Sequence, residues 1–332
     1  MEVFYPAYYH SFYCLAGSCP DSCCKDWAVD VDAEAAQRYR ALSGPLGDRL
    51  RAVLEDVDGS TVMTIENGRC PMWRQDGLCE IQAQLGHDGL CKTCREFPRL
   101  YHDYGYFAEL GLELSCPEAA RLILTSVNGG MLVQTQPGGA APEYDSDVMT
   151  ALRQSRKHVL EFLSDTRYSI PQTLAIILLY SHSVQTELDG GDAEAFSPED
   201  CLADARRYAG NGDMGAIFRF FQGLEILTDK WKTRLEQAPS VIQWTPILRA
   251  LARYLIQRYW LQAISDYDLV CRVKLVVVCC LLVGALGGDP LETAQLFSKE
   301  IENDPDNVEA ILDSAYSSAA LTDVNLLSLL LG

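Results

Sequence analysis

The chain has 332 residues, is 48% hydrophobic and carries a formal net charge of −19. That length and apolar content support a sizeable core, in one large domain or two ordinary ones. The acidity argues against nucleic acid and anionic membrane surfaces as partners and suits a cationic group such as a substrate lysine.

The opening, "MEVFYPAYYHSFYC", has neither a basic n-region nor an uninterrupted apolar stretch, so it does not read as a secretory signal. The longest apolar run, "LVVVCCLLVGALGG" at 275–288, has fourteen residues. A bilayer needs about 20, so a buried core helix is expected there and no membrane span. The expected setting is the cytoplasm, where thiols stay reduced and clustered cysteines point to metal or catalysis.

Thiols concentrate early. Of thirteen cysteines, nine fall in the first 116 residues: Cys14, Cys19, Cys23, Cys24, Cys70, Cys79, Cys91, Cys94 and Cys116. Three of them crowd into "SCPDSCCKDW" at 18–27. Next, "DAEAAQRYRALSGPLGDRLRAVLEDV" predicts a helical pair broken at Ser-Gly-Pro. "TVMTIENGRCPMWRQDGLCEI" predicts short strands around Asn-Gly and Asp-Gly turns, and the second turn folds Cys70 toward Cys79. "CKTCREFPR" supplies the CxxC of Cys91 and Cys94. "YGYFAELGLELS" alternates, which predicts a half-buried strand with Glu109 and Glu113 on its exposed or cavity-facing side.

A Gly- and Pro-rich stretch at 127–145 reads as a linker or long loop. Helical signals dominate beyond it. "SPED" at 197–200 places a Ser cap before Pro and two acids, and Thr245-Pro246 starts a helix in the same way. Asp289, Pro290 and Glu292 form a capping-box pattern. The remaining cysteines, Cys201, Cys271, Cys279 and Cys280, sit in apolar helical patterns and read as core. The fold class expected is mostly α. A cysteine-rich module with a small antiparallel sheet spans 1–126, the linker spans 127–145, and an all-helical domain spans 146–332.

Thiolate–metal binding needs several soft ligands convergent on one point, and short loops supply them in pairs at little entropic cost. Nine cysteines in ordered groups beside Pro and Gly turns fit that need. Zinc wants four ligands, usually as two CxxC-like pairs, and C-x4-C-x3-C-C and C-x8-C are not such spacings. An iron–sulfur cluster, also held by four thiolates, is the favoured assignment, with zinc the alternative. His10, His87 and His102 lie in the same module, with surface or turn roles expected.

"FYCLAGSCPDSCCKDW", "RCPMWRQDGLCEIQAQLGHDGLCKTCREFPR" and "ELGLELSCPEAARLIL" resemble the flagellin lysine-N-methylase family. They are more distantly similar to zinc- or iron-chelating cysteine proteins. The resemblance is dense over 8–125 and returns in "FSKEIENDPDN" at 297–307. It implies a cytoplasmic enzyme that methylates lysines of flagellin from S-adenosylmethionine and contains a [4Fe–4S] cluster. On that reading the nine early cysteines carry the metal role.

Two departures bear on mechanism. No strand–glycine–helix unit of a dinucleotide-type donor site is visible. Cys19 and Cys23 give half of a CxxxCxxC loop, but the third position is Asp26. Methyl transfer to lysine needs a neutral amine, so a proton acceptor is required. Asp21 within the cysteine loop and Glu113 on the strand are the candidate carboxylates, and Arg95 after the CxxC is a candidate partner for a carboxylate or the donor. The rival readings are a non-catalytic zinc- or iron-binding protein and an iron–sulfur redox protein.

Overall fold

The structure, a computed structural model, describes residues 1–126, 130–210, 212–237 and 241–332. It is mostly α, with two small sheets built from the first 135 residues. The strands are β1 (Glu2–Pro6), β2 (Val29–Val31), β3 (Leu54–Val57), β4 (Ser60–Met63), β5 (Arg99–Asp103), β6 (Phe107–Leu112) and β7 (Met131–Thr135).

One sheet is antiparallel, in the order β2-β4-β3, and carries the predicted helical pair, Ala33–Ala41 and Pro45–Val53. Asp32 caps the first of these helices on the Ala35 N–H, and Gly44 at φ +85° makes the break before Pro45. The second sheet runs β5-β6-β1-β7. It is mixed rather than antiparallel, because β1 pairs parallel with β6, Val3 opposite Ala108. Part of the stretch expected as linker or loop supplies its edge strand β7, which pairs antiparallel with β1. Residues 127–129 of that stretch lie outside the described residues.

The expected half-buried strand is a central one. Phe107, Ala108 and Glu109 are all buried, because β5 and β1 flank β6 and helices from later in the chain cover it. From the Ser146–Ser164 helix, Arg156 makes a two-pronged ion pair with Glu109, one prong at 2.8 Å. From the Pro246–Tyr259 helix, the Tyr254 hydroxyl accepts from the Leu114 N–H. Glu109 therefore does not face solvent.

Two hydrophobic cores result. The smaller packs Val31, Ala36, Tyr39, Leu50, Met63 and Met72 around Cys70 and Cys91. The larger lies among the C-terminal helices, with the Leu269–Ala285 helix buried on every side. It also takes in Phe107, Leu112, Leu114 and the Pro117–Thr125 helix, so it spans both sides of the 127–145 stretch. No helix among the described residues is long and apolar enough to cross a membrane. Ser197, Pro198 and Asp289 occupy their predicted cap positions. Cys271, Cys279 and Cys280 are buried in the core as expected, and Cys201 is partly buried.

Candidate metal centre

Turns and helix starts set the nine early cysteines in place. Asn67 and Gly68, both at positive φ, close a two-residue hairpin in which Glu66 and Arg69 exchange backbone hydrogen bonds. The Cys70 N–H then donates to the Cys24 carbonyl at 2.8 Å. Asp76-Gly77 turns the next segment, and Trp73 pairs with Cys79, so the ends of the Cys70–Cys79 loop are folded together as its spacing predicts. Cys79, Cys91 and Cys116 are the N-cap residues of the Glu80–Leu85, Lys92–Glu96 and Pro117–Thr125 helices. Backbone N–H groups at the Cys79 and Cys116 starts pull those thiols down, but burial outweighs them.

Other residues brace the loops. The Asp32 carboxylate accepts from the Lys92 N–H at 2.6 Å, which ties the Cys91 helix to the Ala33–Ala41 helix. The Tyr39 hydroxyl donates to the Gly89 carbonyl at 2.8 Å, and Arg49 to the Pro71 carbonyl at 2.8 Å.

All thirteen cysteines are free thiols. Interaction with the Cys23 and Cys70 thiols holds Cys24 below the ordinary thiol range and pushes those two above it, and the Cys70 thiol donates to the Met63 sulfur at 3.5 Å. Cys91 and Cys94 interact with the same effect, Cys91 down and Cys94 up. Burial raises Cys19 and Cys79, and takes Cys116 to about 11 against the pull of the Ala119 and Glu118 N–H groups. The mutual charge effects link Cys14, Cys19, Cys23 and Cys116 in one set. They link Cys23, Cys24, Cys70, Cys79, Cys91 and Cys94 in a second that overlaps the first. Among the described residues, no three His, Cys, Asp or Glu side chains are gathered as a ready-made metal site. The donor set nonetheless fits a thiolate-bound metal, being soft and reduced, with Cys24 beside Cys23 and Cys70 and Cys91 beside Cys94.

Of the three residues proposed from sequence for chemistry, Asp21 and Glu113 are joined and Arg95 is apart. Gln295 donates to Asp21 at 3.3 Å and to the Ser115 carbonyl at 2.6 Å. The Ser115 hydroxyl lies 3.4 Å from a Glu113 oxygen. Burial raises the Glu113 carboxyl, the Arg258 charge opposes that, and the Glu302 charge adds to it. The Arg95 guanidinium has no hydrogen-bond or ion-pair partner among the described residues.

Sequence reasoning missed the residues that hold this loop from the far end of the chain. Lys299, 2% exposed, contacts both Asp21 and Asp26, at 3.0 and 2.8 Å, and lies 5.0 Å from the centre of the Trp27 ring. It sits on a single π-helical turn, Ser298–Glu302, a form that recurs at functional sites. The legible signal was a set of charges, Lys299, Glu300 and Glu302, interleaved with apolar Phe297 and Ile301. Glu302 is equally buried and accepts from Tyr259 at 3.0 Å, Tyr254 at 3.2 Å and Arg258 at 3.2 Å.

The chain is 31% identical over 129 residues to the flagellar biosynthetic protein FliU of Salmonella muenchen, a match that takes in 36% of this chain and 75% of the relative. The chain belongs to the FliU and lysine-N-methylase family. The proteins named lysine-N-methylase in Salmonella typhimurium and Salmonella choleraesuis match at the same 31% over 129 residues. That match spans only 31% of the length of each of those relatives. No family model and no solved structure matches the chain.

Proposed function

We propose that this member of the family is a protein-lysine N-methyltransferase that acts on flagellin, with S-adenosylmethionine as donor and a [4Fe–4S] cluster held by the cysteine module. The observation that carries the reading is the seating of nine reduced thiols on the braced turns and helix starts of one module, with Cys24 beside Cys23 and Cys70 and Cys91 beside Cys94. Names of the relatives support the reaction class and the flagellar link. Cys24, Cys70, Cys79, Cys91 and Cys94 are the proposed core of the ligand set, with Cys14, Cys19, Cys23 and Cys116 beside it. When bound, the cluster would supply thiolate-ligated iron beside the transfer site.

The chain's own residues have separate tasks. Glu113 is the proposed proton acceptor, since burial makes its carboxylate a stronger base than an exposed one. The substrate lysine ammonium gives Glu113 a proton, the neutral amine so formed attacks the methyl, the donor's sulfur–methyl bond breaks as the nitrogen–methyl bond forms, and S-adenosylhomocysteine leaves. Asp21, bound by Lys299 and Gln295, orients the cysteine loop instead of taking the proton. The partnerless Arg95 guanidinium is suited to the carboxylate of the donor.

The test is calorimetric binding of S-adenosylmethionine to the iron-loaded chain, followed by mass spectrometry of flagellin incubated with both. Donor binding and methylated lysines are expected. A loaded chain that binds no donor and leaves flagellin unmodified overturns the reading and favours a redox or metal-binding role.

A further inference from the structure

Five of the 27 Lys and Arg residues of this acidic chain line one groove of about 1020 Å3. Arg153, Arg156 and Lys157 come from "RQSRK" on the Ser146–Ser164 helix, and Arg249 and Arg253 from "RALAR" on the Pro246–Tyr259 helix. Spacings of three and four residues put each set on one helix face, and the two helices pack together. Only two acids share the lining, Glu109 and Glu161. Glu109 is already neutralised by Arg156, so four cations face one carboxylate.

Their bonding is incomplete. Arg249 donates to the Leu163 and Tyr168 carbonyls at 2.7 and 2.9 Å, and the nearby Asp165 charge, already paired with Arg167, offsets its own only in part. Arg153 lies against the Phe4 and Phe107 rings, 5.3 and 4.6 Å from their centres. Among the described residues, Arg253 and Lys157 have no hydrogen-bond or ion-pair partner. Burial and the neighbouring Arg253 charge both push Arg249 down, so the two guanidiniums hold each other at a cost. The floor is apolar, from Phe4, Leu160 and Leu163. The size sits at the upper end of small-molecule sites, about 300–1000 Å3.

We propose that this groove binds a small, multiply charged organic anion, its carboxylate or phosphate groups on Arg253, Lys157 and Arg249 and its apolar body over Phe4 and Leu160. Guanidinium forks match either anion. The net cationic S-adenosylmethionine has the wrong charge for the groove, so the site is separate from the donor site and does not rest on the proposed reaction. A long polyanion is excluded by the acidity of the whole chain.

The test uses 8-anilinonaphthalene-1-sulfonate, an aromatic anion, as a fluorescent probe on the full metal-loaded chain. Its binding should weaken with salt, and citrate or pyrophosphate should displace it. Displacement by citrate alone assigns a carboxylate ligand, and by pyrophosphate alone a phosphate ligand. Arg253→Gln combined with Lys157→Gln should weaken probe binding about tenfold. Lys157 is exposed, so Lys157→Gln alone, expected to weaken binding severalfold, keeps the test valid if the double variant unfolds. Probe binding that ignores both competitors and is unchanged in Lys157→Gln overturns the proposal.

Discussion

The Lys299 ammonium lies 2.8 Å from an Asp26 carboxylate oxygen, and 273 positions of sequence separate the two. Asp26 stands where a CxxxCxxC loop would place its third cysteine, and it adopts a left-handed backbone, φ +75°. Such a conformation is uncommon outside glycine, though Asp tolerates it better than most. Lys299 also binds Asp21 at 3.0 Å, so one buried ammonium holds the cysteine loop at two points against the C-terminal core. At this position the chain uses a carboxylate as an anchor where a radical-type loop would use a ligand.

Lys299→Met should therefore destabilise the fold by about 2 kcal/mol, because it leaves two partly buried carboxylates without their cation. Urea unfolding measures this. Lys299→Arg, which keeps the charge, should recover part of the loss. Lys299→Met unfolding with the wild-type midpoint would show that the ammonium does not hold the loop.

Glu302 should be the more sensitive position in the same turn. It gathers Tyr254, Tyr259 and Arg258 in the core. Glu302→Ala strands the buried Arg258 and should cost about 3 kcal/mol, whereas Tyr259→Phe removes one hydrogen bond and should cost about 1 kcal/mol. Equal thermal shifts for the two variants would contradict this account of the network.

Much of this was legible in sequence, and the rest was not for identifiable reasons. Ser197, Pro198 and Asp289 marked helix starts because capping is local chemistry. The Asp76-Gly77 turn announced the closure of Cys70 on Cys79 for the same reason. The parallel pairing of β1 with β6 is non-local, and no turn residue advertises it. Strand β7 was masked by the Gly- and Pro-rich composition around it. The helices begun by Cys79 and Cys91, Glu80–Leu85 and Lys92–Glu96, are too short to show a 3.6-residue period. Lys299 was hidden because nothing local distinguishes a buried lysine from a surface one; only its partners, far away in sequence, do so.

Glu113 should make stability pH-dependent in a set direction. Burial raises its carboxyl above the ordinary value of 4.5, so the folded state disfavours the charged form. That penalty is absent below about pH 4.5, where both states are protonated, and is complete once pH exceeds the raised folded value. Glu113→Gln should thus raise Tm at pH 8 and match the wild type in acid. A Glu113→Gln variant less stable than wild type at pH 8 would show that Ser115 and Arg258 outweigh burial. The same variant should lose methylation if Glu113 takes the substrate proton.

The cysteines should divide by location. Cys24→Ser removes the thiol that interacts with both Cys23 and Cys70 and should abolish metal retention. Cys279→Ser, in the apolar core, should leave metal content unchanged. Iron retained equally by both variants would separate the metal from the cysteine module.

What the nine thiols hold decides the chemistry of the module. Iron, zinc and acid-labile sulfide per chain, measured on protein purified without oxygen, test it most directly. About four irons with matching sulfide are expected, as a [4Fe–4S] cluster on four thiolates requires. One zinc without sulfide would contradict that expectation and leave the module a structural metal site.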